Sequence, residues 1–107
     1  MAMNSVYAKI EPKRAVIDAQ EGPAVIEFGV PWCGYCSAAQ PLLAAAFAAY
    51  PLIPHIKIED GEGRRLGRSF RVTLWPTLVF LDNGKEIARL VRPTNSTLIN
   101  EALAKIA

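Results

Sequence analysis

Apolar and polar positions divide the chain into stretches that fit strands and stretches that fit helices. The run 24–30 is apolar and β-branched apart from Glu27, which is typical of a strand covered on both faces, and 53–59 is interpreted as a second buried strand. Between them, apolar residues in 34–49 recur at helical spacing, which predicts a helix. Pro41 lies inside this helix, so we expect a kink there. This succession of strand, helix and strand is the first indication of an α/β arrangement.

Two shorter helices are predicted outside this unit. Pro12 opens the first of them, and Gly22-Pro23 stops it. The apolar side of that helix is predicted to consist of Ala15, Val16 and Ala19. The second short helix covers 62–72, where the helical pattern is weaker.

A hairpin and a final helix complete the chain. The apolar run 77–81, the turn 82–84 and the strand 85–91 form the hairpin, because Asn-Gly is a strong signal for a tight turn. Asn95 or Ser96 caps the last helix. Its apolar residues recur at helical spacing and are Leu98, Ile99, Ala102, Leu103 and Ile106.

The order of elements predicts one α/β domain that spans residues 1–107. Alternating strands and helices favour a three-layer fold, in which a central mixed sheet carries helices on both faces. The sheet has five strands if Val6–Ile10 adds an edge strand and four if it does not, and the pattern leaves both open. The hairpin supplies the antiparallel edge.

Composition supports a folded domain and excludes several other classes. The 107 residues are 51% hydrophobic and 21% charged, with a net charge of +2. This balance argues against disorder, and so small a positive excess does not indicate binding to nucleic acid or membrane. No run is long enough for a membrane span, and the first residues show no signal-peptide pattern. We therefore expect a cytoplasmic protein; an exported form, in which Met1-Ala2 replaces a removed signal, is the alternative.

The only two cysteines are Cys33 and Cys36. A disulfide between them would close a loop of about four residues and stabilise the fold by roughly 2 kcal/mol, so a structural staple is a weak interpretation. A structural zinc site needs about four ligands. His55 is the one further candidate, and a core or surface imidazole is its simpler interpretation. We therefore predict no metal site, and a redox pair is the interpretation that uses the placement of both sulfurs.

Cys33 falls where a buried strand ends and a helix begins. Backbone N–H groups and the helix dipole favour negative charge there, so the pKa of Cys33 should lie below its ordinary value. Cys36 lies one turn into the helix, close to Cys33 and more buried. Cys33 is then the thiolate that attacks a substrate disulfide, and Cys36 attacks the mixed disulfide and releases the reduced substrate. At a strand-to-helix junction of an α/β domain this motif is specific.

The sequence Trp32-Cys33-Gly34-Tyr35-Cys36 resembles the Trp-Cys-Gly-x-Cys active site of the thioredoxin family. Phe28 precedes the motif at the family's spacing, and Pro41 falls at the family's helix-kink proline. In 73–87, Pro76-Thr77 is similar to the cis-proline segment, and a strand and an Asn-Gly turn follow it. The resemblance covers most of the chain. It implies a thioredoxin-like fold in which the two cysteines form a redox-active disulfide and no separate cofactor is needed.

Two charged residues of the predicted strands join the cysteines in the catalytic group. Glu27 stands six positions before Cys33, where thioredoxins carry a buried acid, usually Asp. A carboxylate in an apolar strand is costly to bury as a charged group, so Glu27 should accept the proton of Cys36, through a water, when that thiol attacks. Lys57 is similar to the family lysine beside this acid. A structural Glu27–Lys57 pair is the alternative.

The predicted substrate surface surrounds the cysteines. It consists of Trp32, Gly34, Tyr35, Trp75, Pro76 and Arg92. The resemblance implies a cis peptide bond at Pro76, facing the cysteines and keeping a metal out of the gap. That bond would leave the backbone of Trp75 free to pair with an extended substrate. The two tryptophans, both flanked by turn residues, would be aromatic contact surfaces.

Four residues depart from the family pattern. Tyr35 replaces the usual second proline of the motif, which predicts a protein less reducing than thioredoxin. Gly29 stands where an aromatic residue is common in the family. Trp75 replaces the aliphatic residue that usually precedes the cis proline. Arg92 replaces a glycine that lets partners approach closely. These departures bear on the partner more than on the chemistry.

We predict a monomeric thiol–disulfide oxidoreductase that reduces disulfides in proteins. The sequence does not identify its electron donor, for which a thioredoxin reductase is the candidate. Alternatives are a disulfide oxidant or isomerase with the same residues, and a binding module of this fold without catalysis. Arg64, Arg68 and Arg71, spaced as on one side of a helix, are interpreted as a solvated basic face; a docking patch for an acidic partner is the alternative.

Overall fold

The structure is a computed structural model that describes residues 3–107. These residues form helices and strands in the order that the sequence predicts. The elements are α1 (Arg14–Asp18), β1 (Pro23–Gly29), α2 (Gly34–Phe47), β2 (His55–Glu59), α3 (Arg65–Ser69), β3 (Thr77–Asp82), β4 (Lys85–Val91) and α4 (Ser96–Ile106). Met1 and Ala2, on which the exported alternative rests, lie outside the described residues.

The strands form one mixed sheet in the order β2-β1-β3-β4. β1 runs parallel to β2, and β3 is antiparallel to both β1 and β4. Among the described residues, segment 6–10 adds no fifth strand, because Ala8 forms only an isolated bridge with Ile58. The Ala8 N–H donates to the Lys57 carbonyl at 2.8 Å. The predicted mixed sheet is therefore confirmed with four strands.

Apolar side chains fill two cores, one on each face of the sheet. α2 and α4 cover one face, where the core contains Val25, Ala39, Leu43, Ala46, Phe47, Ile53, Leu78, Phe80, Ile99, Ala102, Leu103 and Ile106. α1 and α3 cover the other face, where the core contains Ile17, Ile26, Phe28, Ile58, Leu66, Phe70, Val79 and Leu81. Successive residues of β1 thus point to opposite cores, as they must in a pleated strand. Helices on both faces are confirmed.

The apolar side predicted for α1 is wrong. Ala15, Val16 and Ala19 are exposed, and Ile17 is the residue of α1 that is buried. α1 has only 5 residues, so one side chain is enough to attach it to the core. Spacing is a weak guide in so short a helix, because tertiary packing rather than an amphipathic stripe decides which residue turns inward.

The hairpin between β3 and β4 has the turn that its sequence predicts. Asp82 pairs with Lys85, which leaves Asn83 and Gly84 as a two-residue loop. Both loop residues have positive φ, 51° and 78°, as a type I′ turn requires. The Gly22 N–H donates to Asn83 Oδ1 at 2.8 Å and so ties the turn to the start of β1.

The longer helices lie close to their predicted limits. α2 continues through Pro41 and ends at Phe47 rather than at residue 49. Asn95 is the N-cap of α4, and its side chain accepts the Leu98 N–H at 3.0 Å. The kink at Pro41 stays a prediction. No described helix has the length and apolar content that crossing a membrane requires.

The three arginines around α3 do not share one side of a helix, which corrects the prediction. α3 is shorter than expected and covers Arg65–Ser69. Arg64 is its N-cap and lies 3.4 Å from Glu11 in an ion pair. Arg71 lies beyond its end with a φ of 57°. Only Arg68 of the three therefore belongs to the helix itself.

Candidate active site

The two cysteines lie at the junction between β1 and α2, as predicted. β1 ends at Gly29, and Cys33 is the N-cap residue of α2. The Cys33 Sγ accepts the Cys36 backbone N–H at 3.2 Å, and both cysteines are free thiols. This sulfur thus satisfies a donor at the positive end of the helix. Within residues 3–107, no cluster of three or more His, Cys, Asp and Glu side chains could hold a metal ion.

The surroundings separate the acidities of the two thiols. Burial opposes ionisation of Cys33, but hydrogen bonds from Cys36 and from the Tyr35 backbone, together with the Arg92 charge, outweigh it and lower the Cys33 pKa. Burial, hydrogen bonding to Cys33 and the negative charges of Cys33 and Glu27 raise the pKa of Cys36 to about 12. Cys33 is 9% exposed and Cys36 2%. The more accessible cysteine therefore also has the more acidic thiol, as a nucleophile requires.

The segment before β3 faces the sulfurs. The Trp75–Pro76 peptide bond is cis, as the resemblance implies. Trp75 packs against Cys33, whose Sγ lies 4.0 Å from the Trp75 carbonyl oxygen. The Trp75 indole N–H donates to Asp60 Oδ2 at 2.8 Å. Trp32 meets the Trp75 ring edge to face, with 5.7 Å between centroids, so both tryptophans lie beside Cys33.

The prediction of a free Trp75 backbone is wrong for its carbonyl group. The Arg92 Nε–H donates to this carbonyl at 2.8 Å, and the Arg92 backbone N–H donates to the Pro76 carbonyl at 2.9 Å. The Arg92 guanidinium lies over the Tyr35 ring, 3.9 Å from its centroid. Arg92 has a φ of 51°, a conformation that glycine adopts more easily. Its side chain therefore occupies the acceptor that a strand-like substrate would use.

The first turn of α2 presents an open surface. Tyr35 is 59% exposed, and the neighbouring Trp32 is 77% exposed. A Cβ at Gly34 would meet nothing within 4 Å, so this glycine is not needed for space within the fold. Pro76, in contrast, is buried beneath this surface. The structure thus brings the residues of the predicted substrate surface together around Cys33.

Glu27 is fully buried, but both oxygens of its carboxyl group have partners. It lies opposite Lys57 in the register of β1 and β2, and the Lys57 Nζ is 3.9 Å from Glu27 Oε2. Gln40 Nε2 donates to the same Oε2 at 2.9 Å, and His55 Nε2 lies 2.9 Å from Oε1. These partners offset the desolvation of the carboxylate, which the sequence argument from burial alone leaves out.

His55 is a core imidazole, as one interpretation of the sequence has it, but it also belongs to this network. The Asn4 N–H donates to His55 Nδ1 at 2.8 Å, so the ring proton lies on Nε2 and is donated to Glu27. The ring stacks on Phe47 with 4.9 Å between centroids. Strand alternation offers a signal for this role, since His55 and Lys57 stand two positions apart and face the same side of the sheet.

Gln40 is a member of the site that the sequence interpretation misses. Its Nε2 also donates to the Cys36 carbonyl at 2.8 Å, and its Oε1 accepts from Lys57 Nζ at 2.8 Å. Gln40 stands four residues after Cys36 in α2, and this spacing puts both on one side of the helix. Cys36, Gln40 and Lys57 line a cavity of about 250 Å³. The cavity has room for water between the thiol and the residues that hold Glu27.

Fold and site together define a class of protein. The site has two thiols of unequal acidity at the amino end of a helix, opposite a cis-proline turn. This arrangement is typical of a thiol–disulfide oxidoreductase. The Thioredoxin family model matches residues 6–105. The chain therefore belongs to the thioredoxin family, whose members are protein-disulfide oxidoreductases.

Individual relatives agree with this assignment. The reduced form of thioredoxin 2 from Pseudomonas aeruginosa PAO1 is 52% identical, with a TM-score of 0.86 over 97% of this chain and 96% of that one. Thioredoxin-1 from Saccharomyces cerevisiae is 31% identical over 86 residues, or 80% of this chain and 82% of that protein. Protein disulfide-isomerase A2 from Homo sapiens is 41% identical over 70 residues, 61% of this chain but only 13% of that protein. The thioredoxins match over the greater length and support a disulfide reductase.

Proposed function

We propose that the protein reduces protein disulfides with Cys33 as the attacking thiolate and Cys36 as the resolving thiol. One observation carries this assignment: the cysteine that is better exposed also has the more acidic thiol. Cys33 attacks one sulfur of the substrate disulfide, and the other substrate sulfur leaves as a thiolate. Cys36 then attacks the Cys33 Sγ of the mixed disulfide, which forms the Cys33–Cys36 bond and releases the second substrate thiolate. The substrate gains two electrons, and the protein dithiol is oxidised.

Glu27 is the acceptor of the Cys36 proton in this proposal. Cys36 must lose its proton before it attacks, and its raised pKa makes that step unfavourable without a base. The cavity beside Cys36 gives water a path to the residues around the carboxylate. His55 and Gln40 orient the carboxylate by donating to it, and Lys57 provides the compensating positive charge. Glu27 and Lys57 thus act together with two residues that the sequence interpretation leaves out.

The substrate lies across Trp32, Gly34, Tyr35 and the Trp75-Pro76 turn. The exposed ring surfaces of Trp32 and Tyr35 support this placement. An extended substrate that pairs with the Trp75 carbonyl must first displace the side chain of Arg92. Arg92 therefore contributes to the choice of substrate, because only a substrate that compensates for this lost contact binds well.

The natural partners are disulfide-containing proteins, as the family relationship supports. We propose a thioredoxin reductase as the electron donor and the cytoplasm as the compartment. We also propose that the protein acts as a monomer without a cofactor other than its own disulfide. Regeneration of the dithiol by NADPH and purified reductase tests the donor, and sedimentation velocity tests the monomer. Immunodetection of the protein in separated cell fractions tests the compartment.

Reduction of insulin disulfides by dithiothreitol tests the activity itself. The wild type should accelerate the reaction, and Cys33→Ser should lose the acceleration because the remaining thiol, Cys36, is more buried and has a raised pKa. Cys36→Ser keeps the attacking thiolate but lacks the resolving thiol, so it should accumulate a mixed disulfide that gel electrophoresis detects. The double serine variant controls for non-covalent association. Equal rates for the wild type and Cys33→Ser would refute the proposed function.

A disulfide oxidant or isomerase is the second candidate. Tyr35 in place of the motif proline and the match to a disulfide isomerase over part of the chain favour it. The reduction potential separates the two: about −270 mV is typical of a thioredoxin, and about −120 to −180 mV is typical of the oxidants and isomerases. If Cys36→Ser traps no adduct while a partner binds stoichiometrically, a binding module without catalysis is the better description.

A further inference from the structure

Gly29 leaves a space beside the resolving cysteine, and Tyr7 reaches into it. A Cβ at position 29 would lie 2.7 Å from Cys36 Sγ and 2.9 Å from the Tyr7 hydroxyl oxygen, closer than real atoms approach. Sulfur and hydroxyl therefore both border the space that a side chain at position 29 would fill. Any larger residue at position 29 would push them away from it. The unusual glycine is thus explained by a tyrosine from another part of the chain.

The N-terminal segment holds Tyr7 in this place through contacts with β2. The Ala8 N–H donates to the Lys57 carbonyl at 2.8 Å, and the Asn4 N–H donates to His55 Nδ1 at 2.8 Å. The Lys57 Nζ lies 4.6 Å from the centroid of the Tyr7 ring. The hydrogen bonds of Asn4 and Ala8 therefore hold the chain before and after Tyr7, and Lys57 lies over the Tyr7 ring. Tyr7 and Cys36 both line the same cavity.

Most groups around the Cys36 sulfur oppose its ionisation. Burial and the negative charges of Cys33 and Glu27 act against the thiolate, whereas the Val30 backbone favours it through a hydrogen bond. Lys57 is the facing cation, but its ammonium group already contacts Gln40 and Glu27. A further hydrogen-bond donor at the sulfur would therefore ease the formation of the thiolate.

The Tyr7 hydroxyl is suited to be that donor and not to be a base. Burial, the negative charges of Cys36 and Glu27 and a hydrogen bond with Cys36 raise the pKa of Tyr7 above its ordinary value. The phenol therefore keeps its proton across the range in which disulfides exchange. A hydrogen bond from a protonated hydroxyl to a thiolate is charge-assisted and stronger than a neutral one.

We propose that Tyr7 is a positioning residue whose hydroxyl donates a hydrogen bond to the Cys36 sulfur and stabilises its thiolate when Cys36 resolves the mixed disulfide. The inference rests on the proposed roles of Cys33 and Cys36. Tyr7 itself transfers no proton, because the proton of Cys36 passes to Glu27. The sulfur–sulfur bond that forms joins Cys36 to Cys33, and the bond that breaks joins Cys33 to the substrate.

Stopped-flow reaction of the reduced protein with dithiobis-nitrobenzoate tests this role. Cys33 attacks first and releases one chromophoric thiolate; Cys36 then releases the second, so the two phases report the two cysteines separately. Tyr7→Phe keeps the ring and removes only the donor. We expect its first phase to be unchanged and its second phase to be slower by about tenfold near neutral pH. The pH profile of the second phase should shift upward by about one unit.

Two controls make the outcome decisive. Tyr50→Phe removes the same hydroxyl group beyond the far end of α2 and should change neither phase. Thermal unfolding of both variants measures any loss of packing. An unchanged second phase across the pH range overturns the proposal, and so does an equal slowing of both phases, because that result assigns Tyr7 a packing role only. Absence of the first phase in the wild type would instead refute the proposed function of Cys33.

Discussion

At the scale of single residues, the Arg92 side chain affects both the nucleophile and the substrate surface. Its charge helps to lower the pKa of Cys33, and its Nε–H group occupies the Trp75 carbonyl. The backbone adopts a left-handed conformation at this position, which a side chain other than glycine tolerates only at a cost of about 1–2 kcal/mol. The contacts to Trp75 and Tyr35 offset part of that cost. The residue that activates the nucleophile also covers the place where a substrate would bind.

Arg92→Gln should raise the pKa of Cys33, because it removes the positive charge while it keeps a side chain of similar length. The rate at which iodoacetamide alkylates Cys33, measured against pH, should therefore reach half its maximum at a higher pH. We expect a shift below about one unit, since burial and the backbone hydrogen bonds of Cys33 remain. Arg92→Lys keeps the charge and is the matched control. The same profile for Arg92→Gln and wild type would contradict the role of the charge.

The sequence predicts the charged core of the site better than its polar supports. Glu27 and Lys57 are recognisable because charges are rare in buried strands. His55 and Gln40 are harder to assign, because polar side chains of this kind are also common on protein surfaces. Their partners also lie on other elements. Tyr7 gives no signal at all in the pattern, because it belongs to a segment without regular structure and acts through the space left by Gly29.

At the scale of elements, the β3–β4 turn is joined to the end of α1 by close packing. Gly84 has a φ of 78°, and a Cβ there would overlap the carbonyl group of Asp18. The turn thus supports the short helix as well as the hairpin. Local sequence predicts the turn type, because Asn-Gly favours positive φ at both positions. The contact with Asp18 is beyond any local pattern, and so is the burial of Ile17, since both depend on how α1 meets the sheet.

Gly84→Ala should lower the free energy of unfolding by about 2–4 kcal/mol, because the positive φ and the overlap with Asp18 both act against alanine. Gly22→Ala is the matched control. Gly22 also has a positive φ, 75°, but a Cβ there meets nothing within 4 Å. Gly22→Ala should therefore lower the free energy of unfolding by only about 1 kcal/mol. Urea denaturation measures both values, and equal losses for the two variants would contradict the packing of the turn on α1.

At the scale of the whole molecule, the two thiols make the stability of the reduced protein depend on pH. Cys33 has a lowered pKa in the folded state, so below about pH 8.5, where unfolded thiols titrate, the unfolded chain binds more protons and stability rises with pH. Cys36 has a pKa raised to about 12, so at higher pH the folded chain binds more protons and stability falls. The contribution of the thiols should therefore pass through a maximum.

The oxidised protein lacks both titrating thiols and serves as the control. We expect the difference in unfolding free energy between the reduced and oxidised forms to change with pH, rising toward about pH 8.5 and falling above it. Urea unfolding of both forms across this range measures the difference, and other titrating groups largely cancel. A difference that does not vary with pH would contradict the separate acidities of Cys33 and Cys36.

The overall architecture follows from the sequence more completely than the site does. Runs 24–30 and 77–81 are apolar apart from Glu27 and Thr77, and the helix between them is long and capped, so the α/β order is strongly specified. The number of strands is less strongly specified, because segment 6–10 pairs with β2 through Ala8 alone. Single pairings of this kind depend on tertiary contacts, which a local pattern does not contain.

The pair formed by Trp32 and Trp75 gives this molecule an intrinsic fluorescence probe. These are the only two tryptophans in the chain; Trp75 packs against Cys33, and Trp32, the residue before Cys33, packs against Trp75. Essentially all ultraviolet emission from the protein therefore originates next to the reacting atom. Electron flow through the dithiol can be followed in real time by light alone, without attaching a dye to the surface on which partners would dock.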